Sequence, residues 1–188
     1  GLVVPSQPLM RWRHALTILQ SNGERTVIVV DMEQSTVTKN LSGVEVLAWG
    51  EFTDRPMEVL AGTLADLGLS SASIAVEMDY LPAGDYLELT RLLPNVSWSA
   101  CEQMLARQRQ IKTPDEVALL RRLSRISDQS IRDSYRSVTV GDSEMDIAAA
   151  LTRGVFTLGA ENFKLMIVAT GARSQLPNVG PSERRLEA

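Results

Sequence analysis

Apolar residues follow two spacings along this chain. In the first part, short unbroken apolar runs alternate with turn signals. Residues 2–4 predict a buried strand stopped by Pro5, and residues 15–19 a second, closed by the turn cluster Ser21-Asn22-Gly23. Residues 26–30, Thr-Val-Ile-Val-Val, are β-branched throughout, which suits a central strand buried on both faces. Residues 44–49 predict another strand between Gly43 and Gly50. A helix opens at Pro56, repeats apolar residues at Val59, Leu60, Leu64 and Leu67, and stops at Gly68. A strand at 73–76 and a helix at 82–93, halted before Pro94, follow. This strand–helix–strand–helix rhythm predicts an α/β layered domain over residues 1–99.

The spacing then turns helical. Residues 101–110 predict a short helix, and Thr113-Pro114-Asp115-Glu116 announces a long one. Thr113 and Glu116 suit a capping box, and Pro114 takes the first helical position, where a missing N–H costs nothing. Asp115 and Glu116 place negative charge at the positive end of the helix dipole. Apolar residues recur at Val117, Leu120, Leu123, Ile126, Ile131, Tyr135 and Val138, close to a helical stripe. Linker helices are therefore expected over residues 100–138. Gly141 breaks the pattern, and Asp142 or Ser143 caps a helix running to about residue 158. Its apolar face is Met145, Ile147, Ala148, Leu151, Val155 and Phe156, and Gly159 ends it. Residues 165–169 predict a buried strand, followed by polar turn.

Charge and composition remove several functions. A net charge of −4 argues against a nucleic-acid partner, because a phosphate-tracking surface needs a basic excess. The densest basic pairs, Arg121-Arg122 and Arg184-Arg185, suit solvated faces. No window is long and apolar enough to span a membrane, and residues 1–5 are too short for a signal-peptide core. Cys101 stands alone, so no intrachain disulfide forms and a reducing, cytoplasmic setting is expected. One Cys and one His, His14, cannot build a thiolate–imidazole zinc site, and a nucleophilic Cys101–His14 pair is disfavoured.

Two acidic groups could bear on chemistry. Asp31 and Glu33 follow a central strand, where α/β ligand sites form, although a structural role is the simpler reading. Glu77, Asp79 and Asp85 supply oxygens of the kind Mg²⁺ takes, but helix capping and surface solvation explain them more simply. Trp12, Trp49 and Trp98 share no register with basic residues, so no base-stacking platform is implied. Gly141, Gly154, Gly159 and Gly171 do not make a phosphate-cradling motif.

The order of these signals resembles a known family. Arg-Gln-Ile-Lys-Thr-Pro-Asp-Glu-Val (109–117), then Val-Gly-Asp-Ser-Glu-Met-Asp-Ile (140–147), looks like the hinge of the creatinase, prolidase and Xaa-Pro aminopeptidase superfamily. Ile74-Ala75-Val76-Glu77 and Leu92-Leu93-Pro94-Asn95-Val96 match the end of that family's N-terminal domain. The resemblance implies a creatinase-like α/β layered domain joined by a long helix to the truncated start of a pita-bread α+β domain, here residues 139–188.

It also implies an activity, hydrolysis of N-terminal Xaa-Pro peptide bonds. In the family, two Asp, one His and two Glu hold two divalent ions (Mn, Co or Zn) around a bridging hydroxide. This sequence ends before those positions, so the chain is expected to be a fragment with no catalytic residue and no metal ligand of its own. Homodimers are usual in the family, and a peptide or small amide is the implied substrate. Leu176-Pro177-Asn178 falls where peptidases of the family usually carry a Pro-His pair beside the scissile bond. Asn178 hydrogen-bonds but cannot take up a proton near neutral pH. That opens a creatinase-like, non-peptidase C–N hydrolase as the alternative, while Pro177-Asn178 is equally an ordinary turn pair. A metal-free dimerisation or binding module derived from the fold is the third reading.

Overall fold

The structure, a computed structural model, describes residues 13–188; Trp12 and the strand expected at 2–4 lie outside them. Its organising element is the β-branched run, which forms β2 (Arg25–Val30) with residues 26–30 all buried. β1 (Leu16–Leu19) pairs with it antiparallel on one side, and β3 (Glu45–Trp49) pairs parallel on the other. The expected central position of residues 26–30 is borne out.

Alternation explains how both faces are used. Ile28 and Val30 share a core with Trp49 and with Met57, Leu60 and Leu64 of α2 (Pro56–Asp66) and Leu89 of α3 (Ala83–Leu92). Leu16 and Leu47, the register partners of Ile28, lie at its margin. Val27 and Val29 point the other way and pack with Val37 of α1 (Gln34–Asn40). β4 (Ser73–Val76) and β5 (Ser97–Ala100) form a second, parallel pair with Ile74 opposite Trp98. α4 (Glu102–Gln110) completes this unit, which spans Gly1–Gln110.

The second compact unit, Ile111–Ala188, contains α5 (Pro114–Ser137) and α6 (Glu144–Thr157). α5 begins as expected. The Glu116 N–H donates to Thr113 Oγ1 at 3.3 Å, and the Thr113 N–H donates to Glu116 Oε2 at 2.8 Å. Thr113→Ala should cost about 1 kcal/mol, read as a lowered midpoint in denaturant unfolding of the Ile111–Ala188 unit.

One expectation needs correction here, and α5 buries a line that its apolar stripe only partly marks. The buried line of α5 is Ile126, Ser130 and Ser134, whereas Leu120, Leu123, Ile131 and Tyr135 are exposed. The reason is close helix packing: a Cβ on Gly154 of α6 would lie 3.2 Å from Ser130 Cβ, a separation that larger side chains would prevent. Residues 165–169 are not a strand. Val168 is buried with Ile147 and Ala148, but Leu165 and Ile167 are exposed. Among the described residues this segment pairs with no strand, and an unpaired extended segment has no ladder to define it. No helix among the described residues is long and apolar enough to cross a membrane.

Candidate functional site

The most constrained polar group of the Ile111–Ala188 unit lies at the start of α6. Ser143 caps that helix: the Asp146 N–H donates to Ser143 Oγ at 3.1 Å, and the Ser143 N–H donates to Asp146 Oδ2 at 2.8 Å. The Ser143 amide, and then its hydroxyl, hold the Asp146 carboxyl below the usual carboxylate range. A depressed folded pKa stabilises the folded state fully above the ordinary carboxylate range. That contribution fades as pH falls through the depressed value. The stability gap between the wild type and Asp146→Asn should therefore be present at neutral pH and close on acidification, as thermal unfolding across pH would record.

Glu144, the next residue, would ordinarily be a solvated acid at a helix N-terminus. Here it is fully buried. Oε1 accepts the Thr170 N–H at 2.7 Å and the Thr170 hydroxyl at 2.9 Å. Oε2 accepts the Ser182 N–H at 3.0 Å, the Ser182 hydroxyl at 2.7 Å and the Arg173 guanidinium. Burying a carboxylate is costly unless it is paired and hydrogen-bonded, and this one is both. Arg173 also donates to the Gly180 carbonyl at 3.0 Å and to Ser182 Oγ at 2.6 Å.

The backbone closes the same structure. The Glu144 N–H donates to the Arg184 carbonyl at 3.0 Å and the Met145 N–H to the Ser182 carbonyl at 3.2 Å, satisfying orphan donors of the helix start. Beside them, the Leu186 N–H donates to Asp142 and the Gly141 N–H to Leu186, around the bridge Ser143–Arg185. Residues 170–182 thus form a loop fastened at both ends to one carboxylate. Asn178 sits on it, in an exposed bend after the 3-10 turn Gly171–Gln175. Gly171 has φ of 52°, and the Arg184 guanidinium lies where its Cβ would be. A side chain there would displace that arginine.

The other candidates belong to the Gly1–Gln110 unit. Asp31 turns onto its own backbone, accepting the Met32 N–H at 2.7 Å, while Glu33 is buried. Asp85 pairs with His14, Nε2 to Oδ2 at 3.1 Å, and Glu77 and Asp79 are exposed. Among the described residues no group of three or more His, Cys, Asp or Glu could hold a metal ion. The Trp49 indole donates to the His14 carbonyl at 3.0 Å, and Trp98 meets Tyr86 edge-on with centroids 6.3 Å apart.

Cys101 is half-buried, and its thiol is pushed up, first by burial and then by Glu77, Glu102 and Asp79. The thiolate is the reactive form. Alkylation of Cys101 by iodoacetamide near neutral pH should be slower than that of a free cysteine peptide, with mass spectrometry following the modification. Faster labelling would contradict the placement of those acids.

A family model described as the creatinase/prolidase N-terminal domain matches residues 12–111. The chain belongs to this family. Its similarity extends past the creatinase/prolidase domain itself. An uncharacterized peptidase, YqhT, of Bacillus subtilis is 22% identical over 194 residues, covering 100% of this chain and 54% of the relative. An Xaa-Pro dipeptidase of Pyrococcus furiosus is 25% identical over 171 residues, covering 90% of this chain and 46% of the relative. The solved X-Pro aminopeptidase of Thermotoga maritima superimposes with a TM-score of 0.78 at 20% identity, covering 92% of this chain and 46% of that one. The chain thus spans about half the length of the relatives it matches.

Sequence reasoning placed the α6 cap but missed Glu144, Thr170, Arg173 and Ser182 as a group. Glu144 sits inside the Ser143–Asp146 box, where an acid already has an explanation in the helix dipole. The one available signal was an arginine in a glycine-led turn, Gly171-Ala172-Arg173, that needs a countercharge.

Proposed function

We propose that this chain supplies the creatinase/prolidase N-terminal domain and the opening of a pita-bread catalytic domain in a dimetal hydrolase of Xaa-Pro peptide bonds. The observation that carries the proposal is the reach of the similarity. It continues beyond residues 12–111 and takes in the Ile111–Ala188 unit, in relatives named as Xaa-Pro dipeptidases. The residues described here do not fit a metal pair, and no catalytic step is assigned to them. In the proposed enzyme the ligands come from the part of the relatives' length that this chain does not span. Calorimetry on the 188-residue chain with Mn²⁺, Co²⁺ and Zn²⁺ should give no tight stoichiometric site, and a sub-micromolar pair of sites would refute this division of labour.

Asn178 favours a second reading, a creatinase-like hydrolase acting on a non-peptide C–N bond. The two are separated by assaying the metal-loaded full-length protein against Xaa-Pro dipeptides and small amides, with Asn178→His alongside the wild type. Peptide cleavage that rises in the histidine variant supports the peptidase scaffold with altered proton handling. Amide cleavage abolished by the same change supports the second reading. Cleavage of neither class refutes both and leaves a metal-free dimerisation module. The proposal includes a cytoplasmic homodimer whose N-terminal domain narrows the partner's active-site mouth. Light scattering at micromolar concentration tests the assembly, and a monodisperse monomer would sink it.

A further inference from the structure

Both oxygens of Glu144 face a backbone N–H, that of Thr170 on one side and that of Ser182 on the other. Hydroxyl groups can turn to offer a lone pair, but an N–H cannot. Only a carboxylate satisfies this geometry. A glutamine would set its NH₂ against one of the two amides whichever way it turned. Arg173 adds a forked guanidinium donor and reaches on to the Gly180 carbonyl. The apolar cluster nearby, Ile147, Ala148 and Val168, includes no residue between 170 and 182. The loop is therefore held by charge and hydrogen bonds.

We propose that Glu144 and Arg173 form a charge latch that fixes residues 170–182 against the start of α6, making Glu144 a positioning residue for Asn178. The second half of this statement rests on the proposed function, in which the Asn178 loop faces substrate; the latch itself does not.

Amide hydrogen exchange on the 188-residue chain tests the latch. Glu144→Gln should speed exchange at Thr170 or Ser182 at least about tenfold, because a buried donor loses its acceptor, and leave the amides of β2 within about twofold. Arg173→Lys keeps the charge but loses the fork, so it should loosen Ser182 while sparing Thr170. Unchanged exchange at both amides in both variants overturns the latch. So does a uniform rise across the whole Ile111–Ala188 unit in both.

The positioning role is tested in the metal-loaded full-length protein on whichever substrate it turns over. Glu144→Gln should lower kcat at least about tenfold with KM within about threefold, and should add little to Asn178→Ala. Additive losses overturn the positioning role even where the latch is upheld. An inactive wild type overturns the proposed function and with it the positioning role, and the exchange result alone then judges the latch.

Discussion

Val29→Asp should leave no soluble folded protein. Val29 lies in the middle of β2, is 0% exposed and packs with Val37 on the α1 face. The parallel register places Ala48 beside it, and Val27 and Val37 complete the buried cluster it belongs to. An isolated carboxylate there costs several kcal/mol even after it takes up a proton, on top of lost burial of about 1.5–3 kcal/mol. Domains of this size hold only about 5–15 kcal/mol in all. The control lies in the same sheet. Leu19 is 71% exposed at the end of β1, so Leu19→Asp should change stability by less than about 1 kcal/mol. Expression of both variants, with circular dichroism and thermal unfolding, makes the comparison. A Val29→Asp protein that melts like the wild type would remove β2 from the core.

Gly154→Leu should destabilise the Ile111–Ala188 unit by about 1–3 kcal/mol through overpacking. The first added carbon would already sit 3.2 Å from Ser130 Cβ and 3.4 Å from Ser130 Cα. The serine hydroxyl cannot swing clear without giving up its 2.7 Å bond to the Ile126 carbonyl. Gly154→Ala should cost much less, because removing a helical glycine returns about 1 kcal/mol of propensity. Denaturant unfolding followed in the α5–α6 unit gives both values. A leucine variant as stable as the alanine one would show that α5 and α6 are not closely packed at this point.

The parts of the fold legible in the sequence are those where one residue type has one physical explanation. An uninterrupted β-branched run has little use except as a strand covered on both faces, and β2 is that strand. Thr113-Pro114-Asp115-Glu116 satisfies a helix start from several directions at once, and α5 begins there. Elements carrying few apolar residues left no such trace. α1, Gln-Ser-Thr-Val-Thr-Lys-Asn, has poor helix formers and a single buried residue, Val37. β5, Ser-Trp-Ser-Ala, has one partly buried side chain, and its pairing with β4 is what makes it a strand.

The misreadings share a cause. Residues 165–169 have strand composition, but a strand also needs a partner, which composition cannot supply. The apolar stripe of α5 was legible, yet the helix turns its serines to α6, since proximity to Gly154 depends on size as well as polarity. Glu144 was hidden for a related reason. Its neighbours Thr170, Arg173 and Ser182 are distant in sequence, and only the fold brings those donors to its two oxygens. The candidate site was therefore legible as a loop bearing Asn178 and illegible as a latched loop.

We propose that this chain opens a metal-dependent hydrolase of Xaa-Pro bonds. Turnover of an Xaa-Pro dipeptide by the full-length protein, before and after chelation, tests it most directly. Cleavage of the bond preceding proline, abolished by the chelator and restored by Mn²⁺, Co²⁺ or Zn²⁺, is the predicted result. An intact dipeptide under every metal, from a protein shown to be folded, would contradict it.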